Sequence, residues 1–116
     1  MSLPTVTDAT FDAEVYQSDL PVLVEFGTEW CAPCKQIEPS LIALESELKN
    51  KVKILKADVE NAPSAAMNLG VRGLPALFVF RHGQLKANRT GAASKPVLQD
   101  WVKASIAVEK GTNKVR

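Results

Sequence analysis

The run Val22-Leu23-Val24-Glu25-Phe26 limits the possible folds more than any other stretch of the chain. A strand with one face in water alternates apolar and polar residues, whereas a strand covered on both faces is apolar almost throughout. This run is broken only by Glu25, so it reads as an interior strand of a parallel or mixed sheet, with helices above and below. The flanking sequence supplies those helices. Leu3 to Val6 can form a short first strand, after which Thr7 or Asp8 can cap a helix that buries Phe11 and Val15 and ends near Tyr16 to Ser18. Asp19 to Pro21 form a turn into the apolar run. From Cys34 to Leu48, apolar residues fall at Ile37, Leu41, Leu44 and Leu48, the spacing of one helix face, with Pro39 inside as an expected kink.

The alternation continues downstream. Val52 to Val59 reads as a strand, and Asn61 can cap a short helix with Pro63 in its first turn and Gly70 just past its end. Ala76 to Phe80 is again strand-like. The turn Arg81-His82-Gly83-Gln84 joins it to a more polar strand through Leu85, Ala87 and Arg89, a hairpin and therefore antiparallel. Ser94 opens a last helix whose apolar face is Val97, Leu98, Trp101, Val102 and Ile106, and a polar tail follows from about 107 to 116. The expected fold class is α/β: a central mixed sheet of about five strands with helices on both faces.

Length and charge narrow the function. A chain of 116 residues suits one domain, taken as 1–116. Its basic and acidic residues nearly balance, at a formal +1, and the basic ones are scattered, so no nucleic-acid partner is implied. No apolar stretch approaches the roughly 18 residues needed to span a bilayer, and no basic region precedes an apolar run at the N-terminus. The sequence accordingly reads as cytoplasmic, without a membrane partner, and as a monomer.

The chain has two cysteines, and they fall in Trp30-Cys31-Ala32-Pro33-Cys34-Lys35, between a buried strand and a helix. In that context C-x-x-C is a redox motif rather than part of a multi-bridge scaffold. The competing reading, half of a zinc site, needs about four ligands. His82 is the one histidine and lies in a hairpin turn, so no metal is expected. Free N-H groups and the positive end of the helix dipole favour a thiolate at Cys31, while Cys34 lies deeper along the helix. Cys31 is thus the expected nucleophile and Cys34 the resolving thiol. Trp30 reads either as a core aromatic or as a partly exposed one. Trp101 reads as core.

From about Val6 to Ile106 the chain resembles the thioredoxin family, through Val24-Glu25-Phe26, Trp30 to Lys35, Pro39, Lys56, Gly73-Leu74-Pro75, Phe80, Gly83 and Gly91-Ala92 in order. The resemblance implies a protein dithiol-disulfide oxidoreductase that binds no cofactor itself. It works through a redox-active Cys31–Cys34 disulfide and takes electrons from NADPH through a separate thioredoxin reductase. It also implies a cis bond at Leu74-Pro75, with the Leu74 backbone offered to an extended substrate. Trp30, Ala32, Pro33, Leu74, Pro75, Gly91 and Ala92 would form a shallow apolar platform for disulfide-containing proteins. Glu25 would be buried and assist proton transfer to and from Cys34, with Lys56 near it. Four positions depart from the family pattern: Ala32 stands where glycine is usual, Gly27 where tryptophan is usual, Ala76 where threonine is usual, and Glu25 where aspartate is usual. The alternative function is a binding module, a co-chaperone or complex subunit using the apolar face around Cys31.

Overall fold

The computed structural model describes residues 2–107, so the expected polar tail lies, beyond Ala107, outside the described residues. Five strands, β1 (Thr5–Val6), β2 (Val22–Gly27), β3 (Lys53–Asp58), β4 (Ala76–Arg81) and β5 (Gln84–Thr90), form one sheet in the order β1-β3-β2-β4-β5. β2 runs parallel to β3 and antiparallel to β4, which makes the sheet mixed and puts β2 at its centre. Every residue of β2 is buried, as its near-continuous apolar run requires. The hairpin β4–β5 turns at His82 and Gly83, both with positive φ (53° and 78°), the backbone that a tight two-residue turn needs to match strand twist.

Strand alternation divides the core in two. Val22, Val24 and Phe26 point to one face, where Leu55, Ala57, Phe78 and Phe80 join Phe11 and Val15. The covering elements are α1 (Asp8–Phe11), which widens into a π-helical turn at Asp12–Tyr16, and α3 (Pro63–Asn68). Leu23 points to the other face with Ile54, Leu77 and Val79, under Ile37, Leu41 and Leu44 of α2 (Ala32–Glu47) and Leu98 and Val102 of α4 (Lys95–Ile106). The α/β reading with helices on both faces is therefore borne out.

Several local expectations are corrected. α2 begins at Ala32 rather than Cys34, because Cys31 is its N-cap and Pro33 fits the first turn, where a missing N-H leaves nothing unpaired. The first turn of α3 is capped from afar: the Asp8 carboxylate accepts from the N-H groups of Ser64 and Ala65, each at 3.0 Å, so Asn61 is not the cap. Val97, expected on the apolar face of α4, is 46% exposed, because one residue on a helix turns a side chain about 100° away from Leu98. Trp101 is only partly buried, with the Arg89 guanidinium 5.5 Å above its ring.

Candidate active site

β2 ends at Gly27, and residues 28–31 carry the chain across to α2. The backbone N-H of Cys34 donates to the Cys31 sulfur at 3.1 Å, so the free end of the helix points at the first sulfur of the pair. Cys31 and Cys34 are joined in a disulfide, with Cα atoms 5.2 Å apart. Their environments differ. Cys34 is 5% exposed, on the inner face of α2 beside Ile37, whereas Cys31 is partly open to solvent.

Strand register brings the remaining residues to the same end of the sheet. Phe26 pairs with Ala76, so Pro75, the residue before β4, lies beside the segment from which the dithiol loop leaves β2. Ala76 pairs in turn with Thr90, and the Gly91 N-H donates to the Pro75 carbonyl at 2.8 Å. The Leu74-Pro75 bond is cis, as the resemblance implied. Trp30 is 74% exposed, which rules out its core reading; Ala32, Pro33 and Ala92 are exposed, Leu74 and Gly91 half-buried, and Pro75 buried.

Glu25 shares the face of Leu23, under α2. It is 1% exposed, and its Oε2 has no hydrogen-bond partner. Burial pushes its carboxyl up to about 7, against the pull of Lys56 and with a smaller push from Glu38. Lys56 is its register neighbour on β3, but the Lys56 ammonium is held by Glu38, at 3.0 and 3.2 Å to the two carboxylate oxygens. Sequence reasoning missed Glu38. The signal was there, since Glu38 follows Cys34 by four residues and so shares its helix face. A cavity of about 390 Å³ connects these groups, with Glu25, Gly27, Cys34, Lys35, Glu38 and Lys56 in its lining.

Gly27 has a particular place in that cavity. A β-carbon at this position would lie 2.9 Å from the Cys34 sulfur and 2.9 Å from Glu25 Oε2, closer than such contacts allow. No group of three or more His, Cys, Asp or Glu side chains is arranged to hold a metal ion among the described residues. Among the same residues no helix is long and apolar enough to cross a membrane.

The thioredoxin family model matches residues 2–104. A thioredoxin of Rickettsia felis is 43% identical over 101 residues, covering 87% of this chain and 96% of the relative. Thioredoxins of Rickettsia typhi and Rhodospirillum rubrum are 42% and 41% identical over 101 residues, covering 96% and 97% of those relatives. With the paired cysteines at a strand-to-helix junction, this similarity favours the oxidoreductase over the binding module. The chain belongs to the thioredoxin family and is a dithiol-disulfide oxidoreductase.

Proposed function

We propose that this chain is a general protein-disulfide reductase in which Cys31 attacks and Cys34 resolves. The observation that carries this division is the unequal burial of the two sulfurs at one helix end. In the reduced protein the Cys31 thiolate attacks one sulfur of a substrate disulfide, forming a mixed disulfide and releasing the other sulfur as a thiolate. Cys34 then gives up its proton and attacks Cys31. The Cys31–Cys34 bond forms, the bond to the substrate breaks, and the substrate leaves with both sulfurs reduced. Holding Cys34 beside the mixed disulfide makes this second step intramolecular, the larger part of the rate advantage.

Glu25 is the proton acceptor for Cys34 in this reading, supported by its burial, its unpartnered oxygen and a carboxyl that titrates near neutrality. Lys56 modulates it from the next strand. The exposed ring of Trp30, with Ala32, Pro33, Leu74, Pro75, Gly91 and Ala92, receives an extended substrate segment through backbone hydrogen bonds at Leu74, which suits many substrates because side chains are not read. Re-reduction comes from NADPH through a separate thioredoxin reductase. We read the chain as a monomer of one domain and as cytoplasmic, the last in accord with both cysteines being committed to a single redox pair rather than to structural bridges.

The test is insulin-disulfide reduction with dithiothreitol, then with thioredoxin reductase and NADPH in its place. Acceleration in both is expected, and Cys34→Ser should trap a covalent adduct with substrate whereas Cys31→Ser should not. No acceleration over dithiothreitol alone would return the binding module to favour, and equal trapping by both variants would void the assignment of roles.

A further inference from the structure

The cavity beneath α2 brings two of its lining groups to the space beside Gly27. Glu25 Oε2 and the Cys34 sulfur each lie 2.9 Å from the point a β-carbon of residue 27 would occupy, so both border the space that Gly27 leaves open. Buried polar atoms without a partner are rare in folded proteins, and each calls for a reason. Reduction of the disulfide would bring a donor to this one. In the disulfide Cys34 has no hydrogen to donate; as a thiol it gains the S-H donor that Glu25 Oε2 lacks. Two departures from the family pattern also complement each other. The extra methylene of Glu25 extends the carboxyl, and the side chain missing at Gly27 makes room for it.

We propose that Gly27 is a positioning residue for resolution: lacking a β-carbon, it lets the Glu25 carboxylate reach the Cys34 sulfur and take its proton directly. The proposal rests on the reading of Glu25 as proton acceptor and adds to it the residue that sets the geometry. In the step itself the S-H bond of Cys34 breaks and an O-H bond forms on Glu25. The resulting thiolate attacks Cys31 of the mixed disulfide, and the substrate thiolate departs. A methyl group at position 27 would press on both partners. The Cys34 β-carbon, 3.2 Å from the same point, is held by the helix backbone, whereas the carboxylate is the far end of a longer and more flexible side chain and has the most freedom to move away.

The other charged groups facing this cavity are Lys35 and Glu38 on α2, Lys56 and Asp58 on β3, and Glu29 in the loop before the dithiol. None of them is altered in the test. Fully reduced protein is mixed with 5,5′-dithiobis(2-nitrobenzoate) in a stopped-flow instrument between pH 6 and 9. The first equivalent of thionitrobenzoate released reports attack by Cys31, and the second reports resolution by Cys34.

Gly27→Ala should leave the first phase at its parental rate and slow the second by on the order of 10- to 100-fold, with the pH inflection of Glu25 lost from that phase. Glu25→Gln should slow the same phase, and Gly27→Ala added to Glu25→Gln should slow it no further, since Gly27 acts through Glu25. Should Gly27→Ala fail to fold, Glu25→Asp tests the same point by withdrawing the carboxylate one methylene while leaving Gly27 intact, and it should slow resolution about 10-fold. Parental resolution in Gly27→Ala or, if that variant does not fold, in Glu25→Asp overturns the proposal while a slow Glu25→Gln preserves the proton acceptor. Additive slowing in the double variant overturns it too, because Gly27 would then act on Cys34 itself. Parental resolution in Glu25→Gln removes the acceptor and the positioning role together.

Discussion

A carboxylate in the middle of a strand with both faces covered is costly when charged, because burial removes its water and nothing hydrogen-bonds Oε2 in return. Glu25 responds by holding its proton up to about pH 7, against an ordinary value of 4.5. The raised folded value fixes the sign of the linkage. Below about pH 4.5 both folded and unfolded chains are protonated and the fold keeps its full stability. Between there and pH 7 the unfolded chain has lost the proton while the folded chain retains it, so stability falls as pH rises, by about 3 kcal/mol in all. Denaturant titrations from pH 4 to 8 should show that decline in the parent and its loss in Glu25→Leu, which should be the more stable protein at pH 8 and the slower one in insulin reduction. An equal decline in both would place its origin elsewhere in the molecule. Most of this was legible from sequence: a single acid interrupting Val22 to Phe26 is a burial anomaly on its face. The Glu38 clamp on Lys56 was not, because it joins a helix to a strand and neither residue is unusual within its own element.

The elements themselves were legible where one physical rule acts alone, and illegible where two segments meet. The hairpin at His82-Gly83, the glycine just after α3 with its φ of 73°, and the apolar stripe of α2 follow from local chemistry, and each is found as expected. The cap of α3 comes instead from Asp8, far earlier in the chain. α4 shows the same limit at finer grain. The spacing gives a stripe wide enough to include Val97, but only Leu98 and Val102 of this helix are fully buried, and Val97 turns to solvent. Leu98→Ala should therefore lower stability by about 2–5 kcal/mol, as a large side chain removed from a packed interior leaves a cavity, while Val97→Ser should stay within about 0.5 kcal/mol of the parent. Denaturant midpoints at constant slope measure both. Comparable losses at the two positions would mean that α4 sits on the sheet rotated from the orientation described.

At the scale of the whole molecule, the sheet is a partition. Phe11, Val15, Phe26, Leu55, Phe78 and Phe80 fill one side; α2 and α4, with Trp101, fill the other, and the dithiol, Glu25, Lys56 and Glu38 all belong to the α2 side. The groups around the dithiol thus share the α2 side, while the α1 and α3 side, apart from Leu74 at its edge, serves stability. Substitutions separated by the partition point to opposite faces of the sheet, and costs at independent sites add to within about 0.5 kcal/mol. Leu55→Ala, on the α1 and α3 side, should cost about 2–5 kcal/mol, and Ile37→Val, on the α2 side, about 0.5–1.5 kcal/mol. The double variant should cost their sum. Leu55→Ala should also leave unchanged the pH range over which Glu25 lowers stability, since the Leu55 side chain points to the face opposite Glu25. If the double variant departs from additivity by more than about 0.5 kcal/mol, or if Leu55→Ala shifts that range, strain is passing through the sheet. The two sides would then be one core, and the redox compartment would answer to packing on the far face.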